Sequence, residues 1–308
     1  MATQHFLSLN DFSKPRLQAL IQRSIELKKN HHAGHPYRPL IGKMLGLVFE
    51  KSSTRTRVSF EVAISQLGGA ATFLSPRDTQ LGRGEPLEDT ARVLSRMLDG
   101  IVVRTHEHQN IETFAHYSRV PVINALTDQF HPCQLLADIQ TYVEHRSTIQ
   151  GKKVAWIGDG NNMCQTYIEA AAAFDFELVI ACPQGYEPSA DLIKKTPAPI
   201  QVMHDPYEAA ANADLIVTDV WASMGQEQEI KQRQQDFSRY QVDAALLKHA
   251  KKNVLFMHCL PAHRGEEVSN EVIEGLHSVV WEEAENRLHS QKALLELLLV
   301  PETVSKTV

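Results

Sequence analysis

Short apolar runs alternate with helical patterns along the whole chain, and this alternation restricts the possible folds more than any other feature. Runs such as 45–49, 153–157 and 215–220 are each followed by a segment of different periodicity. Strands that alternate with helices form βαβ units and therefore parallel sheets. At 308 residues the chain is too long for one ordinary core, so we expect two domains.

The predicted elements follow this alternation in both halves. Helices are predicted at 15–29, 56–67, 88–98, 165–174 and 284–299, with further helices after residue 104 and from His131-Pro132 onward. Strands are predicted at 45–49, 101–104, 121–126, 153–157, 177–181, 199–203, 215–220, 254–257 and 278–281. Residues 75–86 are predicted to form a polar loop.

The polar segment 146–151 ends in glycine and is the predicted domain boundary. We therefore expect domains at 1–147 and 148–308. The predicted fold class is α/β, with two doubly wound parallel-sheet domains and a cleft between them. The last helix is apolar on more than one side, so we expect it to pack back across both domains.

Charge and composition exclude several classes of function. A net charge of -6 and the lack of a long Lys/Arg run argue against a nucleic-acid partner. The cysteines are scattered without a CxxC pair, which favours a reducing cytoplasm over a zinc ribbon or disulfides. The N-terminus lacks a signal-peptide or transit-peptide pattern. The apolar run 294–300 is too short to span a membrane, so no membrane partner is predicted.

A phosphate site is predicted where the first strand runs into a helix. Three hydroxyls, Ser52, Ser53 and Thr54, precede or start this helix, and Arg55 adds a guanidinium. Free backbone N–H groups and the helix dipole favour an anion there, and arginine can bind phosphate through two hydrogen bonds. The alternative is that one hydroxyl simply caps the helix. A single cap would not explain the whole cluster.

Two more polar positions lie at equivalent strand-to-helix junctions. Arg104 ends an apolar strand, and His131 precedes a proline that suits a first helical turn. Gln134 is three residues beyond His131 and projects from the same helical face. Taken singly, Arg104 would be a surface charge and His131 a cap or core residue. Their shared placement with Arg55 favours convergence on one ligand, because ligands bind at the carboxyl ends of such strands.

Three motifs, at 53–57, 131–134 and 258–261, together resemble the signatures of the aspartate/ornithine carbamoyltransferase family. The resemblance extends from the first helix to the last. It implies carbamoyl phosphate as a substrate and a homotrimer or a multiple of trimers, with Gln80 reaching a neighbouring subunit's site. The implied carbamoyl-phosphate residues are Ser53, Thr54, Arg55, Thr56, Gln80, Arg104, His131, Gln134, Cys259, Leu260 and Arg287.

The segment 219–225 is similar to the Asp-x-x-x-Ser-Met-Gly loop of the family's ornithine branch. The resemblance implies that ornithine is held by Asn162, Asp219, Ser223 and Met224, and that Cys259 lies beside its δ-amine. An amino acid with a second amine needs a carboxylate for the cationic nitrogen and neutral donors for its own carboxylate. The expected catalytic residues are Arg55, Arg104, His131, Gln134, Asp219, Cys259 and Arg287.

The sequence leaves several alternatives open. Gly158-Asp-Gly160 after a strand partly matches an NAD-binding fingerprint, but Met163 replaces the third glycine and no acid ends the next strand. Without the motifs, Asp219 would be a cap, Asn162 a turn residue and Cys259 a small buried hydrophobe.

His258, Cys259 and His263 could indicate zinc, but no fourth ligand is evident, so neither metal nor cofactor is predicted. The histidines at 31, 32, 35, 106 and 108 are interpreted as solvated loop residues without a role. Another amine such as putrescine, or a non-catalytic ligand-binding module, remains a functional alternative.

Overall fold

The structure is a computed structural model that describes residues 3–75, 84–222 and 229–300. The chain divides into two compact units. Unit one consists of residues 1–140 together with 285–308, and unit two consists of residues 141–284. The predicted second domain, 148–308, has a last helix that crosses back to the first domain, and residues 285–300 cluster with unit one.

Unit one contains a four-stranded parallel sheet in the order β2-β1-β3-β4. Its strands are β1 (Met44–Phe49), β2 (Ala70–Leu74), β3 (Gly100–Arg104) and β4 (Val122–Leu126). The associated helices are α1 (Lys14–His32), α2 (Thr54–Gln66), α3 (Leu87–Leu94), α4 (His108–Tyr117), α5 (Pro132–Arg146) and the last helix, α12 (Val280–Leu299). Strand β3 is buried along its whole length, as a central parallel strand requires.

Unit two contains a five-stranded parallel sheet in the order β7-β6-β5-β8-β9. Its strands are β5 (Lys153–Ile157), β6 (Glu177–Ala181), β7 (Ile200–Met203), β8 (Leu215–Thr218) and β9 (Leu255–His258). Its helices are α6 (Asn162–Phe174), α7 (Ala190–Lys195), α8 (Pro206–Ala210), α9 (Ile230–Asp236), α10 (Ala244–Leu247) and α11 (Asn270–Ile273). In both sheets the strand order reverses beside the first strand, so the predicted pair of parallel α/β sheets is confirmed.

The structure corrects three local predictions. The segment 278–281 is not a strand, because Ser278 forms only an isolated bridge with Phe256 and α12 begins at Val280. Its β-branched run resembles a strand, but acidic residues in the next turn favour a helix N-terminus. Strand β2 is a half-buried edge strand in the described sheet and was not predicted. His108 is buried at the start of α4, with its Nδ1 3.0 Å from Thr127 Oγ1, and is therefore no solvated loop residue.

Among the helices that the structure describes, none combines the length and the apolar character needed to span a bilayer.

Candidate active site

Three neighbouring strands of unit one lead into the predicted phosphate residues. Strand β1 leads into the start of α2, β3 ends at Arg104, and β4 is followed by His131 just before α5. Because β1 pairs with β3 and β3 with β4, all in parallel, their carboxyl ends lie at the same edge of the sheet. This edge is where ligands of open α/β sheets bind.

The start of α2 contains one helix-capping side chain and several polar side chains that do not cap the helix. The Oγ of Ser53 accepts the backbone N–H of Thr56 at 3.3 Å, so Ser53 is the N-cap. Thr54 is exposed, Arg55 half-buried and Thr56 buried. Arg57 is exposed. Its Nε forms an ion pair with Glu61 Oε1 at 2.9 Å, and its guanidinium lies over the Phe73 ring. Capping therefore accounts for Ser53 alone, and the start of a helix is a position that favours an anion.

Three arginine side chains gather around His131. His131 is only 5% exposed, and its pKa lies well below the usual value because of burial and the positive charges of Arg287, Arg104 and Arg55. His131 is consequently neutral near pH 7. The structure therefore brings together the residues that the sequence singled out at three junctions, and Arg287 of α12, which the family resemblance implied, lies with them.

Arg287 joins α12 to α5 and α2 through two hydrogen bonds. Its Nη1 donates to Gln134 Oε1 at 2.6 Å, and its Nη2 donates to Thr56 Oγ1 at 3.2 Å. The amide nitrogen of Gln134 donates in turn to Asp138 Oδ1 at 2.8 Å. These four side chains are at most 2% exposed. The arginine and Asp138 thus hold the amide of Gln134 in a fixed orientation.

The charge balance of this region favours a small anion. The nearby buried Lys51 is ion-paired with Asp128, so its charge is largely compensated. Three arginines, the hydroxyl of Thr56 and a helix N-terminus together suit phosphate oxygens. A neutral imidazole and an oriented amide beside them can interact with a polarised carbonyl oxygen.

In unit two, donors converge on the carboxylate of Asp219, directly after β8. Asn161 Nδ2 donates to Asp219 Oδ2 at 2.8 Å, and Cys259 Sγ donates to Oδ1 at 3.1 Å. The backbone N–H of Val220 also donates to Oδ1, at 2.8 Å. Asp219 is 8% exposed, so it offers a shielded negative charge with a thiol beside it. Such a charge suits a cationic amine.

The glycine-containing loop after β5 has a structural explanation in the packing of unit two. A Cβ on Gly160 would lie 2.3 Å from the nitrogen of Pro188, and the N–H of Gly160 donates to Tyr186 O at 2.9 Å. This N–H is therefore not available to a pyrophosphate, as a dinucleotide fingerprint would require. Asn161 caps α6 by accepting two backbone N–H groups, and the predicted ligand Asn162 is the half-buried first residue of that helix.

Arg233 stabilises the region around Asp219 and was not predicted. Its Nη1 donates to Asp159 Oδ2 at 3.0 Å and to Trp221 O at 2.8 Å, while its Nε contacts Glu229 at 2.9 Å. Burial raises the pKa of Asp159 to about 6, against the opposing effect of Arg233 and with a smaller contribution from Asp219. No local signal marks Arg233, because its partner lies 74 positions away in the sequence.

His258 fixes the turn that carries Cys259. Its Nδ1 accepts the backbone N–H of Leu260 at 2.9 Å, so its proton lies on Nε2, which is 3.1 Å from Glu267 Oε1. Leu260 has a φ of 57°, a conformation that leucine rarely adopts. With Nδ1 and Nε2 both engaged, His258 lacks a lone pair for zinc. The potential ligand atoms of Asp219, His258 and Cys259 nevertheless lie within 4.8 Å of one another.

Three of the predicted site residues, Gln80, Ser223 and Met224, lie outside the described residues.

Two family models together match almost the whole chain. The carbamoyl-P binding domain of aspartate/ornithine carbamoyltransferases matches residues 4–144, and the Asp/Orn binding domain matches residues 150–298. The chain belongs to the aspartate/ornithine carbamoyltransferase family. Within this family, the ornithine carbamoyltransferase of Methylococcus capsulatus is 65% identical over 97% of this chain and 99% of its own length. The anabolic ornithine carbamoyltransferase of Pseudomonas aeruginosa is 60% identical over 97% of this chain and 98% of its own length.

Solved structures of carbamoyltransferases agree with the fold. The ornithine carbamoyltransferase of Pyrococcus furiosus superposes with a TM-score of 0.93 at 47% identity, covering 97% of both chains. That of Burkholderia thailandensis gives 0.90 at 52% identity, covering 96% of this chain and 99% of the other. The family resemblance seen in the three motifs is thus confirmed.

Proposed function

We propose that this chain transfers the carbamoyl group of carbamoyl phosphate to the δ-amine of L-ornithine, giving L-citrulline and phosphate. The observation that carries the proposal is the gathering of Arg55, Arg104 and Arg287 around a neutral His131. The family match and the near full-length ornithine carbamoyltransferase relatives support the same reaction.

The residues of unit one are suited to the donor substrate. The first turn of α2, Arg55 and Arg104 bind the phosphate, which needs both N–H donors and positive charge. Thr56, His131 and Gln134 donate to the carbonyl oxygen. Negative charge develops on that oxygen in the transition state, and a pre-oriented donor is worth about 3 kcal/mol in comparable sites. A neutral His131 keeps one ring N–H, which can donate to this oxygen.

The residues of unit two are suited to the acceptor. Asp219 and Cys259 bind the δ-nitrogen, while Asn162, Ser223 and the backbone of Met224 bind the α-amino and carboxylate end. The ammonium must first lose a proton to solvent water, because only a neutral amine has a lone pair. The nitrogen then adds to the carbonyl carbon, the carbon–oxygen bond to phosphate breaks, and the leaving phosphate takes up the amine proton. No covalent enzyme intermediate and no cofactor are required.

A ureido-product assay with purified protein tests the substrate assignment. Ornithine, putrescine and aspartate are each supplied with carbamoyl phosphate, and the product is identified by mass. We expect citrulline from ornithine and little product from the other two amines. Preferential use of putrescine would move the assignment to another amine. Carbamoyl-phosphate binding without any ureido product would identify a non-catalytic module.

We also infer that the enzyme works as a homotrimer with Gln80 reaching a neighbouring subunit's site. Several large apolar side chains of unit one are at least half exposed and support a subunit interface: Ile41, Val58, Val93 and Met97. Trimers of Arg55→Ala and of Gln80→Ala, each inactive, can be dissociated and mixed. About a quarter of the sites in random hybrids then combine two intact residues and regain activity. Hybrids without activity would contradict a shared site.

The compartment and metabolic direction are also proposals. We infer a cytoplasmic enzyme of arginine biosynthesis. All four cysteines are free thiols, as expected in a reducing compartment. The relative from Pseudomonas aeruginosa is named anabolic. Cell fractionation tests the compartment, and arginine auxotrophy after deletion of the gene tests the direction.

A further inference from the structure

The histidines at the end of α1 lie against a buried histidine of α12 in unit one. His31 and His32 belong to the last turn of α1 and not to a loop, which corrects the sequence interpretation. Their ring centroids are 5.8 Å from that of His289, and 5.9 Å from each other. Glu285, one turn before His289 on α12, faces the same group.

We propose that His32, Glu285 and His289 bind a divalent transition-metal ion, for which zinc is the best match, with His31 or water as the fourth ligand. Imidazole nitrogens with one carboxylate are a preferred ligand set for such ions. The three ligand atoms lie within 4.8 Å of one another. The histidines of α1 are exposed, so an ion can enter from solvent.

Two of the three separations between the ligand atoms are close to those around a tetrahedral ion. Bonds of about 2.0–2.1 Å at tetrahedral angles place ligand atoms about 3.3 Å apart. Glu285 Oε1 is 3.0 Å from His32 Nε2 and 3.5 Å from His289 Nε2. These two values bracket the tetrahedral separation, so small movements of exposed side chains complete the site.

His289 supplies an independent observation in favour of a ligand. It is 1% exposed, and its Nδ1 makes no hydrogen bond to any described residue. Its Nε2 lies 3.5 Å from Glu285 Oε1, beyond ordinary hydrogen-bond length. A buried imidazole with so little hydrogen bonding has lost its hydration without full compensation. A bond from Nε2 to a metal ion would supply that compensation.

Two ammonium groups near the cluster set the expected strength of binding. Lys28 donates to Asn286 at 2.8 Å and lies 4.0 Å from Glu285 Oε2, whereas Lys292 donates to Gln66 at 3.0 Å. These positive charges oppose a dication. We therefore expect micromolar rather than tighter affinity.

Cobalt(II) titration of the full chain, followed by visible absorption, tests the site. We expect one Co²⁺ per chain with ligand-field bands that Zn²⁺ abolishes by displacement. His32→Gln and Glu285→Gln should each weaken binding at least tenfold. Both positions are partly exposed, so these variants should fold even if His289→Gln does not. His35→Gln is the matched control, because this exposed histidine lies outside the cluster and should leave binding unchanged.

Two other groups of ligand-type residues provide the outcomes that would overturn the proposal. Binding at Asp219, His258 and Cys259 would produce a thiolate-to-cobalt charge-transfer band. Binding at the group around His263 would be lost in His263→Gln and retained in His32→Gln. Either result, or unchanged binding in both the His32 and Glu285 variants, would refute the site.

Discussion

Arg287 should act on the carbamoyl group largely by orienting Gln134, and a double-mutant cycle can measure this coupling. The guanidinium donates to the amide oxygen at 2.6 Å, and both side chains are buried. A charge-assisted hydrogen bond of this kind is worth about 1.5–3 kcal/mol. If the transition state depends on that orientation, losing the bond lowers kcat/KM for carbamoyl phosphate by about 10- to 150-fold.

The cycle compares Arg287→Met, Gln134→Met and the double variant in steady-state kinetics at saturating ornithine. We expect a coupling energy of about 1.5–3 kcal/mol, because the double variant loses the shared hydrogen bond only once. Arg57→Met is the matched control, since this arginine is exposed and directed at Glu61. Urea unfolding shows whether each variant is folded. If the losses of kcat/KM in the two single variants simply multiply in the double variant, the coupling energy is below about 0.5 kcal/mol and the reasoning is refuted.

Three further predictions concern the site and its surroundings. Arg55→Ala should abolish measurable turnover, whereas Cys259→Ala should mainly raise KM for ornithine. Steady-state kinetics with both substrates varied test this. Near-normal catalysis by the Arg55→Ala variant would refute the phosphate assignment. The pKa of His131 is lowered on folding, so its contribution to stability is present above about pH 6.5 and is lost as the pH falls. His131→Gln should therefore flatten the decline of the unfolding free energy between pH 6.5 and 5 by up to about 1.4 kcal/mol per pH unit, and an unchanged slope in urea unfolding would contradict this. Gly160→Ala should lower the unfolding free energy by about 1–3 kcal/mol, because its Cβ would collide with the backbone of residues 186–188. An unfolding free energy equal to that of the native chain would contradict this and show that the backbone shifts to accommodate the Cβ.

Periodicity along the sequence was sufficient to predict the two parallel sheets and three of the site positions. Arg55, Arg104 and His131 each follow a predicted strand, and the carboxyl ends of parallel strands share one edge. Their convergence therefore follows from local pattern and topology alone. Local pattern failed at 278–281, where a β-branched run too short to define a strand leads into a helix. It also missed the edge strand 70–74, which has little buried surface to mark it.

Only the tertiary structure decided which side chains contact each other across long separations. Arg287 lies 153 positions from Gln134, and nothing in its own helix distinguishes it from a surface charge. Likewise, Asn161, which the sequence did not single out, donates to Asp219, because capping of α6 fixes the direction of its side chain. A sequence records which residues follow one another and with what period. The partners of buried polar groups are chosen by how separate helices and strands pack, since each group must replace its lost water with whatever donor or acceptor that packing brings near.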